Sequence, residues 1–95
     1  MNKKISVSII GCGSRGLTVY GRLMYGMPDK FEIVSICDQN ADKLKNCGDE
    51  FGIDIENRFL SEKEFFVKKR SDLLVIATLD NDHIRMAKKA ILLGY

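Results

Sequence analysis

The chain is poor in cysteine, histidine and proline, and it lacks both an excess of one charge and a long apolar run. Its three cysteines, Cys12, Cys37 and Cys47, are odd in number, form no Cys-x-x-Cys pair and have no clustered histidine beside them. That pattern indicates neither a disulfide framework nor a zinc site, so no metal ligand is assigned, and free thiols fit a reducing cytoplasm. Fifteen basic and thirteen acidic side chains give a formal net charge of +2, with Lys68-Lys69-Arg70 as the one dense basic cluster. Such a balance argues against general nucleic-acid binding, which needs a basic face with interleaved aromatics. The longest apolar stretches fall far short of the roughly 20 residues of a membrane helix. One proline and eight glycines leave no low-complexity linker, and no internal repeat is evident.

What remains is a composition with 45% hydrophobic and 29% charged residues, ordinary for a soluble folded chain. Ninety-five residues suffice for one domain with a modest core, so residues 1–95 are read as a single unit. Met1-Asn2-Lys3-Lys4 ahead of Ile5 to Ile10 imitates a secretory leader, and Ile9-Ile10-Gly11-Cys12 imitates a lipoprotein cleavage site. The apolar stretch is shorter than the roughly 7 to 15 residues a leader needs and carries Ser6 and Ser8, which argues against export.

Apolar patterning alternates between strand and helix. Ile5 to Ile10 reads as a strand covered on both faces, with serines small enough to be buried. From Ser14 the spacing turns helical through Leu17, Tyr20, Gly21 and Met24, ending near Gly26-Met27-Pro28. Phe31 to Cys37 is a second buried strand with Asp38 at its carboxyl end. Ala41, Leu44, Gly48 and Phe51 mark one face of a second helix, which Gly52 stops. A short strand is expected around Arg58 to Leu60, then a short helix entered through the Ser61-to-Glu64 capping box and anchored in the core by Phe65 and Phe66. Leu73 to Ala77 is a fourth strand, Asp80-Asn81-Asp82 a polar loop, and roughly Asp82 to Leu93 a last helix with Gly94 after it. Alternation with short connections predicts an α/β fold with a parallel sheet. As the first part of a doubly wound fold, it takes the order 3-2-1-4, with a ligand crevice at the carboxyl ends of strands one and four.

The chemistry centres on Gly11-Cys12-Gly13-Ser14-Arg15-Gly16, between the first strand and the first helix. Gly11 turns the chain, Gly13 admits a pyrophosphate to the backbone, and Gly16 lets helix pack on strand. Unpaired amides around Ser14 and Arg15 and the helix dipole favour a diphosphate. Asp38 stands twenty-two residues after Gly16, where a carboxylate accepts bonds from both ribose hydroxyls and repels a 2′-phosphate, so NAD is favoured over NADP. The plainer alternative is that Asp38 caps the second helix, for which Asn40 is an equal candidate. Cys12 is read mainly as a small residue between two glycines, although a helix start can activate a thiol. Arg15 either touches adenine or phosphate or is solvated. Lys68-Lys69-Arg70 reads as a solvated helix end.

Gly11 to Gly16, Ser35-Ile36-Cys37-Asp38, Ala77-Thr78 through His83, and Ala90-Ile91-Leu92-Leu93-Gly94 together resemble the N-terminal Rossmann domain of the glucose-fructose oxidoreductase/inositol dehydrogenase (Gfo/Idh/MocA) family. The likeness covers nearly the whole chain and implies a three-layer nucleotide-binding sandwich. In that family the segment after strand four commonly reads Thr-Pro-Asn-x-x-His and lines the cofactor. The resemblance therefore assigns Thr78, Leu79, Asp80 and His83 to cofactor contact, although Leu79 and Asp80 depart from the usual Pro and Asn. His83 either approaches the cofactor or caps the last helix. Family members continue into a Glu-Lys-Pro motif and a substrate domain, so the chain resembles the cofactor-binding front of an oxidoreductase truncated before its catalytic lysine, with no catalytic residue of its own. The resemblance further implies a sugar- or polyol-type alcohol as substrate of the longer protein. The alternative is a non-catalytic nucleotide-sensing module. A strand-four edge or last helix without cover predicts a homo-oligomer.

Overall fold

The computed structural model describes residues 4–13, 19–78 and 80–95, of which 80–83 are described by their backbone alone. Strand β1, Ile5–Ile10, lies at the centre because both of its faces are apolar or small: Val7 and Ile9 point into one core, and Ile10 points into the other. It pairs in parallel with β2, Phe31–Cys37, on one side and with β4, Leu73–Ile76, on the other. Strand β3, Arg58–Phe59, adds to the far edge of β2, giving the order β3-β2-β1-β4 that the alternating pattern predicts.

Parallel neighbours need crossover segments, and these form the outer layers. Helix α2, Ala41–Phe51, buries Leu44, Cys47, Gly48 and Phe51 against Val7, Ile9 and Ile36. Ala41, expected on that face, is exposed, and Cys47 takes part instead. Asn40 caps α2 by accepting from the Lys43 amide at 3.0 Å, and Gly52 closes it at φ 66°. On the opposite face, Phe65 and Met86 meet Ile10 and Cys37. Phe65 comes from α3, Glu62–Phe65, and Met86 from α4, Asp80–Leu92. The result is three layers around two cores. Helix α1, Arg22–Tyr25, follows a π-helical turn at residues 19–21 and contributes Met24 to the first core. The expected start of that helix, with Leu17, lies outside the described residues.

Three boundaries differ from expectation. The third strand stops at Phe59 and is preceded by a 3-10 turn at Ile55–Asn57, and the fourth stops at Ile76. The fourth helix begins at Asp80, so the acidic stretch expected as a loop is its first turn, where negative charge complements the helix dipole.

Serines in the central strands are satisfied within the sheet. The Ser8 hydroxyl, fully buried, meets Ser35 Oγ at 2.6 Å and Ser71 Oγ at 2.7 Å, and Ser71 donates to the Leu73 carbonyl at 2.9 Å. This chain of hydroxyls crosses β2, β1 and the entry to β4 and leaves no oxygen of the three without a partner. Beside it, Val7 pairs with Ile33 but Ser8 pairs with Ser35, so Val34 is the extra residue of a β-bulge.

Candidate functional site

The carboxyl ends of β1, β2 and β4 converge on Gly11. Its amide donates to the Cys37 carbonyl at 2.8 Å, and the Ala77 amide donates to the Ile10 carbonyl at 2.8 Å, so the chain leaves β1 between the two neighbouring strand ends. Gly11 has φ 93°, and a Cβ built there would stand 2.8 Å from the Ala77 carbonyl oxygen. Only glycine satisfies both conditions.

Cys12 follows, 2% exposed, and its amide donates to Asp38 Oδ2 at 2.7 Å. The other carboxylate oxygen, Oδ1, accepts from the Asn40 amide at 2.8 Å, while the Asp38 amide itself donates to the Phe59 carbonyl at 3.0 Å. Asp38 is therefore fixed from three sides. The helix-cap alternative is resolved in favour of Asn40, and Asp38 instead ties the glycine loop to the end of β2. Each carboxylate oxygen retains lone-pair capacity beyond its one amide bond.

At Gly13 the surroundings differ from those at Gly11: among the described residues, a Cβ would meet only Lys43 Nζ, at 3.8 Å, within 4 Å. The backbone here is open to a ligand, with an ammonium group beside it. Lys43 reads from the sequence as a solvated residue of the second helix. The available signal was its place five residues after Asp38, in the first turn of a helix whose cap lies next to the loop.

Thr78 lies half-buried just past β4, its hydroxyl directed to Met86 Sδ at 3.9 Å. Gly11, Cys12, Gly13, Asp38 and Thr78 thus share one end of the sheet. Ser14, Arg15, Gly16 and Leu79, and the side chains of Asp80 and His83, lie outside the described residues.

The three thiols are free and buried. Cys12 is pushed well above the ordinary thiol range by its hydrogen bond with Cys47 and by burial, while Cys47, receiving that bond, is lowered. Cys37 is pushed up to about 12 by burial and by the Asp38 carboxylate beside it. Cys12 serves as packing beneath the loop, its Sγ directed at the Cys37 carbonyl at 3.8 Å. No group of three metal-ligating side chains occurs among the described residues. Among the described residues the site offers glycine backbone, a held carboxylate and a nearby cation, a set suited to binding a phosphate-bearing, hydroxyl-rich ligand.

The sequence pattern of the Gfo/Idh/MocA group, an oxidoreductase family with an NAD-binding Rossmann fold, matches residues 5–95. Among solved structures, the chain is similar to the WlbA dehydrogenase of Bordetella pertussis in complex with NADH and UDP-GlcNAcA, at 27% identity and a TM-score of 0.84 over 97% of this chain and 27% of that one. It is similar to an oxidoreductase of Agrobacterium radiobacter in complex with NAD+, L-tartaric acid and magnesium, at 28% identity and a TM-score of 0.78 over 95% and 25% of the two chains. A myo-inositol dehydrogenase of Corynebacterium glutamicum shares the fold at 22% identity and a TM-score of 0.78, over 97% and 26%. The chain spans about a quarter of the length of these solved proteins. A search of curated proteins gives no significant match.

Proposed function

Since the chain belongs to the Gfo/Idh/MocA oxidoreductase family, whose NAD-binding Rossmann fold its residues 5–95 match, we propose that residues 1–95 form a dinucleotide-binding domain that holds NAD for a dehydrogenase of sugar- or polyol-type alcohols. The observation that carries this reading is the 2.7 Å bond from the Cys12 amide to Asp38, which joins the glycine loop and the acid at the end of β2 in one crevice.

In this reading Gly11, Cys12 and Gly13, continuing through Ser14, Arg15 and Gly16, seat the pyrophosphate, and Asp38 accepts the adenosine ribose hydroxyls. Lys43 adds a cation on the pyrophosphate side of Gly13. Thr78, Leu79, Asp80 and His83 form the segment assigned to contact with the cofactor. Because two backbone amides fix both oxygens of Asp38, its carboxylate cannot swing away from a 2′-phosphate, which supports NAD over NADP. Bound NAD supplies hydride chemistry, and the residues of this domain bind and orient it. No proton-transfer role is assigned to any of them, so the domain binds without turning over. Three buried free thiols support a reducing, cytoplasmic setting. The described residues include no helix long and apolar enough to cross a membrane.

Calorimetric titration tests the reading. NAD is expected to bind with NADP at least roughly tenfold weaker, the consequence of one uncompensated charge contact. Absence of NAD binding at millimolar cofactor, or tighter binding of NADP, would overturn it.

A further inference from the structure

A second concavity lies beside the middle of β2, next to the amino ends of β3 and β4. It encloses about 230 Å³ and is lined by Val34, Ser35, Asn57, Lys68, Lys69 and Arg70. We propose that this cavity is a binding site for a small phosphate-type anion, separate from the dinucleotide crevice.

Charge is the first support. Three basic residues line one cavity whose lining contains no acidic residue, with the Lys69 ammonium 5.8 Å from the centre of the Tyr95 ring. Lys68 and Lys69 are exposed and form no salt bridge with any described residue. Arg70 is held in place by neutral groups only: Nε donates to the Phe65 carbonyl at 2.9 Å, Nη2 donates to the Glu64 carbonyl at 2.8 Å, and the guanidinium lies 4.1 Å from the centre of the Phe59 ring. Its position is fixed, and no carboxylate of the described residues forms a salt bridge with it. A guanidinium arranged in this way loses little freedom on meeting an oxyanion.

Backbone and polar groups supply the second support. Strand β3 pairs only with Ile36 and Cys37, so the outer edge of β2 at Val34 and Ser35 has no strand beside it, and Val34 is also the bulged residue on the β1 side. Unpaired backbone at a bulge and strand edge is a source of donors for an anion. Asn57, the last residue of the 3-10 turn, is a further polar residue of the lining. A cavity of about 230 Å³ has room for phosphate or pyrophosphate with part of its hydration shell.

The test is titration of the 95-residue chain, isotopically labelled at nitrogen, with inorganic phosphate and with pyrophosphate, followed by amide chemical shifts. Saturable shifts are expected at Val34, Ser35, Asn57 and Arg70. The Lys68→Ala, Lys69→Ala double variant is expected to weaken that binding by roughly tenfold, and the Lys68→Arg, Lys69→Arg variant to preserve it. Both lysines are exposed, so the remaining spectrum reports that the variants are folded. Shifts confined to Gly11 and Gly13, linear shifts without saturation, or undiminished binding in the double alanine variant would overturn the proposal. The Gly11 and Gly13 amides report the dinucleotide crevice independently, so the outcome here is distinct from success or failure of NAD binding.

Discussion

At Gly11 and Gly13 two glycines of one loop answer to different requirements. Gly11 combines φ 93° with a backbone oxygen 2.8 Å from where a Cβ would sit, so Gly11→Ala strains the turn and forces β1 and β4 apart. Urea unfolding of that variant is expected to show a loss of about 2 kcal/mol or more. Gly13 has only Lys43 Nζ, at 3.8 Å, near a Cβ position among the described residues. Gly13→Ala is expected to change stability by less than about 0.5 kcal/mol while weakening NAD binding in the same calorimetric titration, and a large loss of stability would contradict its assignment to ligand approach. The tasks of these glycines are legible in the sequence because spacing after an apolar strand restricts what such a loop can do. The partner of Asp38 is not legible: its bond to the Cys12 amide depends on two loop ends meeting across the sheet, twenty-six residues apart in the chain. Lys43 escapes for the same reason, since its proximity to Gly13 is set by how α2 lies against the loop.

Among the elements, the strands are the most legible, since parallel strands write themselves as nearly continuous apolar runs, as in the half-buried residues 74–76 of β4 and the buried second half of β2. Short elements carry too few residues to show a period: β3 is two residues long, and α3 is one turn announced by Ser61, whose hydroxyl accepts from the Lys63 amide at 3.2 Å. What holds α3 to α4 is the Glu62 carboxylate, bonded to Arg85 and, at 3.0 Å, to Lys89. Arg85 foremost, with Lys89, holds its carboxyl below the ordinary value of 4.5. A carboxyl depressed in the folded state stabilises above its unfolded value, and that contribution is lost as pH falls through the lower folded value. Glu62→Gln is therefore expected to lower stability at neutral pH, with the gap to the parent chain closing below about 4.5. Denaturation across a pH series checks this, and a gap that widens in acid would contradict it.

At the scale of the whole molecule, the two cores are complete around β1 but the outer surface is not polar throughout. Ile84, Ile91 and Leu92 on α4 are 72%, 71% and 87% exposed, and the outer edge of β4 has no strand beside it in the described sheet. Edges and apolar faces of this kind invite pairing. Light scattering is expected to show a mass that rises with concentration, reduced by Ile91→Glu and Leu92→Lys together, whereas a monomer at all concentrations would contradict self-association. The order β3-β2-β1-β4 places the glycine loop, Asp38 and Thr78 at the carboxyl end of the sheet, while the basic cavity lies beside the middle of β2. The central claim is that a dinucleotide lies across the carboxyl ends of β1, β2 and β4, and amide shift mapping during NADH titration tests it most directly. Saturable shifts are expected at Gly11, Cys12, Gly13, Asp38 and Thr78, lost in Asp38→Ala. Saturation with those five amides unmoved would contradict the account.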